Sequence, residues 1–122
     1  MSGFNFRDTA INTTSLSKLM DGRKKVSIDD IISTYPNGIT VNGFDVVTNG
    51  NDTYSIGIFA EDNGSFFFGG SVFTKIVRAW VAAFDGDVDE ASQQLGTTGG
   101  VKMQFSHGRT KNGNNITLVK IL

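Results

Sequence analysis

The spacing of apolar residues changes period twice along the chain, and the order of those periods limits the fold more than any other feature. In residues 39–68 apolar side chains recur at every second position: Ile39 and Val41, then, across Gly43, Phe44 and Val46, followed by Tyr54, Ile56 and Ile58. Such alternation marks a half-buried strand, because successive side chains of a strand point to opposite faces. Phe73, Ile76, Val77, Trp80, Val81 and Phe84 then fall on one helical stripe. From Val101 the period returns to two, with Met103 and Phe105 alternating with Lys102, Gln104 and Ser106. The spacing predicts three strands, a helical segment and two further strands. A doubly wound α/β sheet would need a crossover helix between each parallel pair, and the chain has too few.

Turn chemistry supplies the boundaries. Gly43 inside a strand pattern predicts a bulge that bends the strand. TNGND at 48–52 reads as a turn, and EDNG at 61–64 as a hairpin turn in which Asn-Gly provides positive φ. Residues 65–68 form the third strand, closed by Gly69 and Gly70. Asp87 with Glu90 resembles a capping box for a second short helix carrying Val88, Ala91 and Leu95. HGRTKNGN at 107–114 reads as a loop leading into a fifth strand at 115–122. Ahead of the strands, residues 1–10 read as a loose tail and 15–20 as a short helix ended by Asp21 and Gly22. Ser27 caps another short helix through Ile28, Ile31 and Ile32, which Tyr35-Pro36-Asn37-Gly38 stops. The 122 residues make one domain: a short helical N-terminal extension at 1–38 and a barrel at 39–122. The expected class is mainly β with α+β content. Its architecture would be the five-stranded Greek-key barrel called the OB-fold, which carries its helical segment between strands three and four.

Composition removes most chemistry. The chain has no Cys and one His, His107, so a thiolate zinc site, a cysteine nucleophile and a Ser/His/Asp triad are not expected. Asp85, Asp87 and Asp89 begin like an EF-hand loop, but Glu90 and Gly96 occupy the positions where that loop needs Gly and a bidentate Glu. No Walker A or Gly-x-Gly-x-x-Gly sequence is present. The chain is expected to be no enzyme and to need no cofactor or metal. It shows no apolar signal region and no run near the roughly 20 residues that span a bilayer, which predicts a cytoplasmic protein with no membrane partner.

Charge is balanced in total and uneven in place. Eleven Lys and Arg meet twelve Asp and Glu, for a net charge of −1. Asp85, Asp87, Asp89 and Glu90 account for much of the acid, and without them the remainder is net positive. Lys102, Arg109, Lys111 and Lys120 follow with no acid among them, and Arg23-Lys24-Lys25 form a second basic knot near the start. An uneven field of this kind can draw a polyanion to one face. OB-folds bind oligonucleotides and oligosaccharides on the face of strands two and three, between the loops joining strands one to two and four to five. The basic residues His107, Arg109 and Lys111 fall in the second of those loops. If Tyr54, Ile56 and Ile58 face the core, Phe59 points outward; Phe66 and Phe68 are assigned to the core and Phe67 to the open face. Phe59 and Phe67 then become base-stacking candidates. Trp80, on the helical stripe, is assigned to core packing, and Lys75 and Arg78 to a solvated helix face.

The stretch ITVNGFDVVTNGNDTYSIGIFAEDNGSFFFGGSVF and the ending GGVKMQFSHGRTKNGNNITLVKIL resemble phage- and prophage-encoded single-stranded DNA-binding proteins. The resemblance covers most of the chain as a whole-domain pattern. It implies an OB-fold that coats single-stranded DNA during replication or recombination in a bacterial host cell, with homo-oligomers and replication or recombination proteins as partners. It also places Arg109 and Lys111 where such proteins contact the backbone. Together these readings give a site in which Lys102, His107, Arg109 and Lys111 meet phosphates and Phe59 and Phe67 stack bases. Arg23, Lys24 and Lys25 would add an electrostatic lip, and the low net charge predicts salt-sensitive binding. The alternatives are a protein–protein interaction or phage structural module built on outward Phe residues, and a carbohydrate-binding module.

Overall fold

The computed structural model describes residues 17–49 and 52–122. A 3₁₀ turn at Lys18–Met20 leads into a two-residue strand, β1 (Lys24–Lys25), and helix α1 (Ile28–Thr34). A meander of β2 (Ile39–Asn49), β3 (Asp52–Phe59) and β4 (Asp62–Gly69) follows. Then come α2 (Ser71–Ala83), α3 (Val88–Thr97), β5 (Val101–Arg109) and β6 (Asn115–Ile121). The loose tail expected at 1–10, the start of the helix expected at 15–20 and the middle of the turn expected at 48–52 lie outside the described residues.

Caps fix the helices where the sequence predicts them. The hydroxyl of Ser27 accepts from the Asp30 amide at 3.0 Å to open α1, and Asp87 accepts from the Glu90 amide at 3.0 Å to open α3. Each satisfies one of the free donors of a first helical turn. Gly38, at φ +109, follows α1 where a Cβ would lie 2.7 Å from the Met103 carbonyl oxygen, so only glycine fits.

The strands form a single six-stranded mixed sheet in the order β1-β4-β3-β2-β5-β6. It is not a closed five-stranded barrel. The additional strand is β1, which runs parallel to β4 with Lys24 beside Ser65 and Lys25 beside Phe66. The bulge falls as predicted, with a break in register between Val41 and Gly43. Two predicted turns shift. Asn63 and Gly64 belong to β4 and Gly64 has no positive φ, so the hairpin turns on Ala60 and Glu61 instead. Asp62 holds this start of β4, its carboxylate accepting from the Gly64 amide and the Ser65 hydroxyl. His107 and Arg109 are likewise not in a loop: β5 extends through both, paired with Thr117 and Asn115 of β6. The connecting turn is residues 110–114, tightened by hydrogen bonds between Thr110 and Asn114.

The sheet coils around one apolar core on its helix-covered side. Phe67 sits at the centre with no exposed surface. Its ring lies 5.2 Å from Phe73 of α2, 5.4 Å from Phe105 of β5 and 6.1 Å from Phe59 of β3. β4 and β5 are not paired, so the meeting of Phe67 and Phe105 reports how far the sheet has curled. α1 plugs the core from one side with Ile31, and Trp80 packs on Phe44 at 5.6 Å. Lys75 and Arg78 are exposed on α2. No helix among the described residues is long and apolar enough to cross a membrane.

Candidate nucleic-acid interface

Alternation along β3 and β4 sorts their side chains as expected, but the face that meets the helices is the opposite one. Ser55, Gly57 and Phe59 point into the core together with Phe67, while Tyr54, Ile56, Ile58, Phe66 and Phe68 take the other face. Phe59 and Phe67, expected to point outward and stack bases, are 1% and 0% exposed and cannot do so. The physical reason lies in the small residues. A Cβ at Gly57 would lie 2.3 Å from Cζ of Phe67, and one at Gly69 would lie 2.1 Å from Cδ2 of Phe73. Ser55, fully buried, shares a 2.6 Å hydrogen bond with Thr74 of α2. Small side chains on the strand are the hollows into which neighbouring rings fit, and hydrophobicity alone misses them.

The other face carries the partly accessible aromatics, although Ile56 and Phe66 on it are buried at 0% and 4% exposure. Tyr54 is 36% exposed and Phe68 is half-buried, their ring centroids 6.5 Å apart and nearly perpendicular. Phe66 packs edge-on to Phe68 at 5.8 Å. Nζ of Lys25 stands 5.1 Å from the Phe68 ring centroid, within reach of a cation–π interaction. The turn at Lys18–Met20 packs on β3 at one end of this face, anchored by the Ser17 hydroxyl donating to Asp45 at 2.6 Å. Tyr54 and Phe68 were missed from sequence; Gly57 and Gly69 were the signal that could have found them.

The three residues of the first basic knot separate in role. Arg23 donates to the carbonyls of Leu19 and Asn63 at 3.2 and 3.0 Å, so its guanidinium ties the N-terminal turn to β4. Lys24 is exposed at the sheet edge, and Lys25 is exposed on the aromatic face.

The second basic group lines a different feature. The end of β4 comes close to β6, a Cβ at Gly70 being 3.6 Å from that of Thr117. Beside this near-contact a seam stays open as a groove of about 690 Å³, lined by Ile28 and Asp29 of α1, Gly70 and Ser71, and His107, Gly108, Arg109 and residues 115–117 of the hairpin. His107 Nε2 is 3.2 Å from a carboxylate oxygen of Asp29. Lys111 is exposed in the hairpin turn. Lys102 does not join them. It lies seven residues back along β5, roughly 23 Å for an extended strand, beside Thr40 and the Glu61 carboxylate. A second hollow of about 480 Å³, between the N-terminal turn and α3, is lined by Asp45 and Asp89 against one cation, Lys18, and is acidic in balance. Among the described residues no group of three His, Cys, Asp or Glu could hold a metal ion.

No family model matches the chain, and no curated protein or solved structure is detectably similar to it.

Proposed function

We propose that the chain binds single-stranded DNA, without strong sequence preference, across the open face of β3 and β4, as part of phage or prophage DNA replication or recombination. The observation that carries this reading is the Tyr54–Phe68 ring pair with Lys25 over it. Unpaired bases offer π-faces to stack on, and phosphates need cations, so an accessible aromatic pair beside lysines answers both demands at once. Stacking does not discriminate among bases, hence the lack of sequence preference. The order β4-β3-β2-β5-β6 supports reading the five long strands as an OB barrel left open at one seam. On that reading the aromatic pair lies on the strand pair such folds use for ligands.

Fluorescence anisotropy of labelled oligo-dT, titrated with the full chain at two salt concentrations, tests the proposal. Saturable binding that weakens with salt and discriminates against duplex is expected. Tyr54→Ala and Phe68→Ala should each cost about 1–3 kcal/mol, the range for losing one stacked base. Wild-type affinity in the doubly substituted chain would remove the platform from the site. A second reading rests on β6 and the residue after it, where Leu118, Ile121 and Leu122 are 44%, 49% and 54% exposed beside a sheet edge. Apolar edge strands invite pairing with another chain, which fits a protein-interaction module or self-association. Absence of oligonucleotide binding even at low salt would favour that reading.

A further inference from the structure

The seam groove begins where the aromatic face ends. Gly70 follows Phe68 by two residues, roughly 7 Å along a strand, and lines the groove together with Arg109. Two cationic or potentially cationic side chains line the groove, Arg109 and His107, with Lys111 in the adjoining turn. Among the described lining residues Asp29 is the one acid. Its carboxylate stands 3.2 Å from His107 Nε2, and the two side chains are 79% and 64% exposed. Exposed ion pairs of this kind add little to folding, so the pair matters mainly for the charge it leaves in the groove. A carboxylate held against a ring N–H occupies the position a phosphate oxygen would need.

We propose that the seam is a second subsite of the single-strand track, one that takes the phosphodiester backbone, and that Asp29 sets its affinity by competing with phosphate for His107. This inference rests on the reading of the open face as a base-stacking platform. A strand long enough to leave Tyr54 and Phe68 passes Gly70, meets Arg109, and engages His107 only by displacing Asp29. Among the described residues the charged groups near His107 are Asp29 from α1 and Arg109 from its own strand, with Asp30 further along α1 and Lys111 in the adjoining turn. Removing the Asp29 charge therefore leaves the groove wholly basic.

The test compares an oligo-dT of about 4 nucleotides with one of about 16, the low and high ends of sites on such folds. Asp29→Asn is expected to bind the longer oligonucleotide about two- to five-fold more tightly, the fold-change matching an exposed ion pair. It should leave the shorter one unchanged. That gain should disappear in a His107→Ala background. Arg109→Ala should weaken the longer complex and flatten its logarithmic salt slope by about 0.7, one phosphate contact on a single strand. Equal gains on both lengths, or a gain that persists undiminished without His107, would overturn the seam subsite in favour of general charge repulsion. If Tyr54→Ala with Phe68→Ala abolishes binding while Asp29→Asn changes nothing, this inference alone falls. If that double substitution binds both lengths like the wild type, the platform reading falls and takes the seam with it.

Discussion

On the helix-covered face of β3 and β4 the side chains are Ser55, Gly57, Phe59, Phe67 and Gly69; on the open face they are Tyr54, Ile56, Ile58, Phe66 and Phe68. The second set is the more uniformly bulky, and Ile56 and Phe66 within it are buried at 0% and 4% exposure, yet it is the first that packs into the helix-covered core. Rings from β4 and α2 descend onto the glycines, so volume is matched across the layer and Phe67 ends with no exposed surface. Among the described residues no helix lies above the open face. The N-terminal turn packs on β3 there; Ile56 and Phe66 are buried, and Tyr54 and part of Phe68 stay accessible. Packing complementarity, rather than total hydrophobicity, decides which side of a sheet the helices cover.

Phe67 gives the largest expected effect and the clearest way to break this comparison. Phe67→Ala removes the ring that touches Phe59, Phe73 and Phe105, and should cost about 3–5 kcal/mol in urea denaturation. Phe68→Ala, on the half-buried side, should cost distinctly less stability while losing oligonucleotide affinity. Equal destabilisation by the two substitutions would mean that both faces are core, and the open face could not then be a binding platform.

Gly57→Ala comes next. Its new methyl would fall 2.3 Å from the Phe67 ring, and overpacking of this kind typically costs about 1–3 kcal/mol. Combining it with Phe67→Leu should recover part of the loss, because the smaller side chain vacates the space the methyl needs. Additive losses in the double variant would show that the glycine serves the backbone and not the ring.

The element order was legible because period is a local property: α2, α3 and the Gly43 bulge fall where spacing places them. The five long strands come in the expected order, although the third begins earlier and the fourth runs on through His107 and Arg109. What was not legible depends on partners far away in the chain. Alternation divides Tyr54 and Ile56 from Ser55 and Gly57 but does not say which group faces helices that come later. Two-residue β1 has no period to read, and it joins the sheet only because β4 offers an edge. His107 and Asp29 meet through the docking of α1 beside β5, so no spacing could announce their pairing. The basic residues were visible as charge, but only the fold separates Lys102 from Arg109 and commits Arg23 to backbone carbonyls.

Glu61 gives the smallest effect and sharpens the comparison from outside it, since it clamps the β3–β4 turn to β2 without belonging to either face. Its carboxylate accepts from the Thr40 amide at 2.7 Å and the Thr40 hydroxyl at 3.0 Å. Burial pulls its pKa upward, but those hydrogen bonds and the charge of Lys102 outweigh it and hold the group below its ordinary 4.5. A carboxyl depressed on folding favours the native state when ionised. The stability it contributes is thus complete above pH 4.5 and is lost as pH falls through the depressed native value. The side chain is exposed, so Glu61→Gln should cost no more than about 1 kcal/mol at neutral pH. Denaturation midpoints at neutral pH and well below the carboxylate range should show the gap between wild type and variant narrowing in acid. A gap of constant size would assign the effect to the shape of the side chain instead of its charge. Oligonucleotide affinity at neutral pH should not change, because the clamp holds the turn at the end of the strands opposite Tyr54 and Phe68.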